Sequence, residues 1–139
     1  MTRILVDSNI LLDVVTEDKN WFSWSSEQLA KYAEQGELCI NPIIYAEISI
    51  GFGRIEDMEE VLPREYFSYL ALPYEAAFLA GKCFLKYRRA GGKKVNPLPD
   101  FFIGAHAAVE GMTLLSRDKN RYTTYFPKLE VVGFEAEDC

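Results

Sequence analysis

The sequence predicts an α/β fold carried by a central, mainly parallel sheet of four to five short strands. Three observations point to it. Short apolar runs recur at Ile4-Leu5-Val6, Leu38-Cys39-Ile40 and Thr113-Leu114-Leu115-Ser116, with a last one at Val131-Val132. The stretches between them carry apolar residues at helical spacing, the alternation expected of βαβ units. The runs are also continuous in apolar character, as strands covered on both faces are. No internal repeat, low-complexity tract or linker divides the 139 residues. Residues 1–134 therefore read as one domain, and 135–139 as an acidic, frayed tail.

The elements follow in order. A strand over 3–6 ends at Asp7, and Ser8-Asn9 can start a helix with Ile10, Leu11, Val14 and Val15 as its apolar stripe. Trp21-Phe22-Ser23-Trp24 leads into a helix over 25–33, stopping near Gly36. After the strand at 38–40, Asn41-Pro42 opens a helix over 42–52, with proline where a missing N–H costs nothing. A short acidic helix over 55–62 ends at Pro63, residues 65–70 read as helical, and 70–72 as a brief strand. Residues 74–89 form the clearest amphipathic helix, with Ala77, Phe78, Gly81, Phe84 and Leu85 as its apolar stripe and Lys82, Lys86 and Arg89 off it. Gly91-Gly92 ends it. A basic loop over 93–98 precedes a helix over 99–108. Residues 117–126 read as a loop with a helical turn.

Composition excludes several classes. Hydrophobic residues make up 49% and charged residues 26%, which rules out wholesale disorder. No apolar run approaches the ~20 residues of a membrane span, so no membrane association is expected. Asp7 falls too early for a signal-peptide core. Cys39, Cys83 and Cys139 are odd in number and lack CxxC spacing, against a complete disulfide framework or a zinc ribbon and in keeping with a reducing cytoplasm. The net charge of −6, taken whole, argues against a polyanionic partner. Its distribution weakens that argument. Residues 1–75 hold 14 acids against 5 Lys/Arg, whereas 76–139 hold 7 against 10. Lys82, Lys86, Arg88, Arg89, Lys93 and Lys94 fall in a stretch from Ala76 to Pro99 that contains no acid.

Four acids sit against apolar runs: Asp7, Glu47, Asp100 and Asp118. Glu47 lies in a helix that is apolar nearly all round, and a buried lone carboxylate must shift its pKa or find a cation. Taken singly, Asp7 also reads as an N-cap, Asp100 as a first-turn acid and Asp118 as a turn residue. Placement changes the weighing. Asp7 and Asp118 follow strands, and open parallel sheets bind ligands beyond their carboxyl ends. Four carboxylates in one crevice need a counter-charge, and hard oxygen donors without a His/Cys set suit Mg²⁺ or Mn²⁺. The basic stretch before Asp100 supplies attraction for a phosphate backbone.

The motifs that carry these acids resemble those of PIN-domain ribonucleases. Leu5-Val6-Asp7-Ser8-Asn9 is similar to the family's opening hydrophobic-Asp-(Thr/Ser)-Asn motif, and Pro42-Ile43-Ile44-Tyr45-Ala46-Glu47-Ile48 to its internal Glu helix. Pro99-Asp100-Phe101-Phe102-Ile103-Gly104-Ala105-His106-Ala107 resembles the Asp-x-x-Ile-x-Ala-x-Ala helix, and Ser116-Arg117-Asp118 the (Thr/Ser)-x-Asp segment. Phe126 to Val132 resembles the closing strand. The ordered set covers nearly the whole chain, and its size suits single-domain VapC-type toxins of prokaryotic type II toxin–antitoxin pairs. The resemblance implies a three-layer α/β/α fold and a single PIN-like nuclease domain over 1–134. It further implies a Mg²⁺- or Mn²⁺-dependent endoribonuclease, with Asp7, Glu47, Asp100 and Asp118 as catalytic and metal-binding acids and Asn9 and Ser116 orienting them. The implied partners are RNA, a cognate antitoxin and a second copy in a homodimer. The implied reaction is hydrolysis leaving a 5′-phosphate and a 3′-hydroxyl. One departure is Asn120, where some members carry a further acid, so the resemblance supports a first metal more than a second.

The remaining features have two readings each. Arg117, Lys119, Arg121, Lys93 and Lys94 are candidates for RNA contact, and Tyr122 could stack on a base. Arg117 could equally neutralise nearby carboxylates. Trp21, Phe22 and Trp24 are either a staple onto the core or a groove for the antitoxin. His106 reads as a helix-face residue, since metal-activated water needs no histidine. Two other functions compete: a catalytically inert PIN-like binding module, and an aspartate-based phosphotransfer or phosphohydrolase domain with Asp7 as nucleophile.

Overall fold

The computed structural model describes residues 2–92 and 98–134. Lys93, Lys94 and the tail at 135–139 lie outside the described residues. Five strands, β1 (Thr2–Val6), β2 (Gly36–Ile40), β3 (Phe67–Tyr69), β4 (Thr113–Leu115) and β5 (Val131–Val132), form one sheet in the order β3-β2-β1-β4-β5. Every pairing is parallel. Helices α1 (Ser8–Val15), α2 (Phe22–Gln35), α3 (Pro42–Ser49), α4 (Ile55–Val61), α5 (Tyr74–Arg89), α6 (Leu98–Glu110) and α7 (Lys119–Thr123) flank it. The result is the three-layer α/β/α arrangement.

Central strands explain the apolar runs. Ile4, Leu5 and Val6 of β1, Leu38, Cys39 and Ile40 of β2, and Leu114 and Leu115 of β4 are all buried. They pack with Ile10, Ile44, Ile48 and Ile103 from the helices into the main core. Gly36 ends α2 and starts β2 in one step. Its extended backbone is open to any residue, but a Cβ there would stand 2.2 Å from the Thr2 carbonyl oxygen of β1. Glycine is required for the close approach. A second apolar cluster joins α5 to α6 through Ala76, Ala80, Cys83, Phe101, Ala105 and Phe126. Cys39 and Cys83 are both buried free thiols. No described helix is long and apolar enough to cross a membrane.

Three expectations are corrected. Residues 65–70 are not helical: β3 occupies Phe67–Tyr69 because that segment pairs with β2, Leu38 opposite Phe67 and Ile40 opposite Tyr69. The buried face of α5 is Ala76, Ala80 and Cys83, not the stripe through Phe78 and Leu85. Phe78 is 69% exposed, with the Lys82 ammonium 5.0 Å from its ring centroid. Finally, α3 is buried on one face only: Ile44 and Ile48 are inside, whereas Ala46 is exposed and Ile50, just past its end, faces solvent. Boundaries also move outward for α2 and α6, and α7 is a short helix where a turn was expected.

Candidate active site

The strand order reverses between β1 and β4. The chain runs from β1 to β2 and β3 on one side and returns to β4 and β5 on the other. That switch point is where an open α/β sheet presents a crevice at its carboxyl ends. Asp7 leaves β1 there, its N–H bonded to the Leu115 carbonyl of β4 at 2.9 Å. Ser116 leaves β4 beside it.

Asp7 is only 3% exposed yet fully partnered. Its Oδ1 accepts the Ser8 N–H at 2.8 Å, which also caps α1. Its Oδ2 accepts both the Ser116 hydroxyl and the Tyr122 hydroxyl, each at 2.8 Å. The Ser116 oxygen in turn accepts from Asn9 Nδ2 at 3.3 Å and from the Asp118 N–H at 3.1 Å. Asn9 Nδ2 also donates to Asp118 Oδ2 at 3.2 Å, and Asn9 Oδ1 accepts the Arg117 N–H at 3.4 Å. One amide and one hydroxyl thus tie the turn after β4 to the start of α1. Glu47, half-buried on α3, accepts the Ser8 hydroxyl at 3.0 Å. Arg121 bridges the remaining pair: Nη1 lies 3.1 Å from Asp100 Oδ2 and Nη2 lies 3.3 Å from Asp118 Oδ2.

Electrostatics bind the four acids into one site. Burial raises the Asp7 carboxyl above its ordinary range, against the lowering effect of its Ser116, Tyr122 and Ser8 donors. Burial also raises Glu47, with the charges of Asp7 and Asp100 adding to it. Asp100 is pushed up to about 6, by burial first, with Arg121 opposing and with Asp7 and Asp118 repelling it. Burial opposes the charge of Arg121, but Asp100 and Asp118 outweigh it and raise its pKa. Tyr122 stands well above its ordinary value because burial and the Asp7 charge disfavour the phenolate, so its hydroxyl remains a donor.

The donor set fits a hard divalent cation. Its atoms are carboxylate oxygens, and Arg121 is a cation paired with both Asp100 and Asp118. Among the described residues, no group of three or more Asp, Glu, His or Cys side chains is placed to hold an ion as it lies. Ser8 stands between Asp7 and Glu47, and Arg121 between Asp100 and Asp118.

Other expected site residues fall elsewhere. Arg117 turns inward, with Nε and Nη2 on the Asp13 carboxylate at 2.9 and 3.0 Å and its guanidinium 4.8 Å from the Trp21 ring centroid. Ser25 completes that network by donating to Asp13 Oδ2 at 2.7 Å. Tyr122 is 1% exposed and cannot stack on a base. Trp21 and Trp24 meet the half-exposed Phe134 edge to face, with centroids 4.9 and 5.8 Å away, and Phe22 stays at the surface. His106 is buried, and Asn41 Nδ2 donates to its Nδ1 at 3.0 Å, joining α6 to the start of α3. Burial lowers its pKa. Sequence reasoning missed Ser8, Asp13 and the Asp7-facing role of Tyr122. The spacing of Tyr122 and Phe126, one helical turn apart, was the available sign that both point inward.

Comparison with known proteins agrees with this fold. The sequence profile of the family described as PIN domain matches residues 4–127. No curated protein matches the sequence. The fold superposes on a chain of VapBC2 from Rickettsia felis, crystallised with a DNA fragment from their promoter, with a TM-score of 0.72, 17% identity, and coverage of 96% of this chain and 100% of that one. VapBC-1 from nontypeable Haemophilus influenzae gives 0.71 and 18%, covering 95% and 98%. A toxin–antitoxin complex from Klebsiella pneumoniae gives 0.60 and 22%, covering 93% and 95%. With most of its length matched by the family profile and its acids gathered where the sheet reverses, the chain belongs to the PIN-domain family.

Proposed function

We propose that this PIN domain is a Mg²⁺- or Mn²⁺-dependent endoribonuclease and the toxin of a cytoplasmic toxin–antitoxin pair. The observation that carries the reading is the gathering of Asp7, Glu47, Asp100 and Asp118 beyond the carboxyl ends of β1 and β4, where Ser8 ties Asp7 to Glu47 and Arg121 ties Asp100 to Asp118. Those four side chains would hold the cation. When bound, the ion lowers the pKa of a water and offsets charge on a phosphate. The chain's own residues supply the order. Ser8, Ser116 and Tyr122 fix both Asp7 oxygens, and Asn9 fixes Asp118. Hydrolysis then adds water across the P–O3′ bond: the water oxygen stays on phosphorus as the 5′-phosphate, and a proton ends on the released 3′-hydroxyl. Lys119, Arg121, Lys93 and Lys94 are the proposed RNA contacts, whereas Arg117 is committed to Asp13. The toxin assignment draws on the VapBC and toxin–antitoxin complexes that share the fold. The antitoxin would lie near Trp21, Phe22 and Trp24, and a homodimer is expected.

Partner-free protein should cleave RNA in Mg²⁺ or Mn²⁺, and the double variant Asp7→Asn/Asp100→Asn should lose cleavage while keeping its circular dichroism spectrum. Full cleavage by the folded double variant sinks the proposal. A second reading is an inert PIN-like module acting through partners. Absence of cleavage across both metals favours it.

A further inference from the structure

Two arginines, four residues apart, flank the turn after β4 and do opposite jobs. Arg117 is locked. Its side chain is 27% exposed, forks onto a single Asp13 carboxylate that is nearly inaccessible, and lies over Trp21. Arg121 is held differently. Its fork is split between two carboxylates on separate elements, Asp100 on α6 and Asp118 before α7, with one contact to each. Its side chain is 50% exposed, so releasing it returns the guanidinium to water at little cost.

We propose that Arg121 is a built-in, displaceable counter-ion: it holds Asp100 and Asp118 when no divalent cation is bound and gives both carboxylates up to the cation on binding. This rests on the metal-site reading above. A single guanidinium charge faces two carboxylates directly, with Asp7 and Glu47 close behind, so it leaves the site negative. A divalent ion is smaller and carries twice the charge. Asp7 and Glu47 have separate partners in Ser8, Ser116 and Tyr122, so they do not depend on Arg121 for position. Arg121 therefore competes with the cation for the same oxygens. It raises the cation concentration needed to fill the site and keeps the two elements together until then.

The test is Mn²⁺ binding by calorimetry, with no substrate present, on wild type, Arg121→Gln, Arg121→Lys and Arg88→Gln. Arg88 is exposed on α5 and controls for loss of one positive charge. Arg121→Gln should bind Mn²⁺ about ten-fold tighter or more and melt lower than wild type in EDTA. Arg121→Lys, whose ammonium cannot fork to both carboxylates, should lie between, and it carries the test if the glutamine variant does not fold. Arg88→Gln should match wild type. Equal or weaker Mn²⁺ binding by both Arg121 variants overturns the inference while leaving the metal site standing. Absence of Mn²⁺ binding by wild type and variants alike overturns the metal-site reading and this inference with it.

Discussion

At pH 7 Asp100 works against the fold that holds it. Its pKa rises from 3.8 in the unfolded chain to about 6 in the folded one. The folded state therefore binds the proton more tightly. Its favourable contribution is complete below 3.8 and is lost as pH rises through 6. Asp100→Asn should accordingly raise metal-free stability at pH 7, and the gain should vanish near pH 4, as read from urea melts at both values. Tyr122→Phe acts in the other direction. It strips one donor from a buried carboxylate and should cost about 1–3 kcal/mol, measured in the same way. Ser116→Ala removes the hydroxyl that links Asp7, Asn9 and Asp118. It should lower Mn²⁺ affinity or cleavage by about 10–100-fold with the fold intact. Asp7, Asp100 and Asp118 could be singled out in the sequence because each sits against an apolar run. Tyr122 could not be placed so easily. Its burial comes from α6 and β5 packing against α7, contacts that a five-residue helix does not announce.

Elements were legible where local pattern and tertiary demand agree. β1, β2 and β4 are continuous apolar runs because the sheet is covered on both faces. β3 was not, since Phe67-Ser68-Tyr69 becomes a strand only through pairing with β2. The face of α5 was misread for a related reason. Ala76, Ala80 and Cys83 are small and attract little notice beside Phe78 and Leu85, yet small residues allow α5 to lie close on α6. The large ones are left outside. Gly36 shows the same economy of space at a junction. Gly36→Ala must push β1 and β2 apart, because the atom it meets is backbone and not a movable side chain. The loss should be about 1–3 kcal/mol, visible as a lowered urea midpoint.

For the whole molecule, the net charge of −6 is a poor guide to partners, because the charge is sorted. Acids that count toward that total are gathered at the reversal of strand order, where Asp100 and Asp118 hold Arg121 and, on the proposed function, would hold a divalent ion. Basic residues concentrate in the second half of the chain. The alternation of strands and helices showed the layered fold, and the ordered motifs singled out the acids that the fold brings to one crevice. What neither showed was the state of that crevice, closed by serine and arginine contacts in place of an open cage. On the proposed function this crevice performs metal-assisted hydrolysis of RNA. The most direct measurement is the chemistry of the ends that purified, partner-free protein leaves on a labelled RNA, with Mn²⁺ and with EDTA. The account predicts 3′-hydroxyl and 5′-phosphate ends in Mn²⁺ and no cleavage in EDTA. Ends bearing a 2′,3′-cyclic phosphate, or cleavage that persists in EDTA, would contradict it.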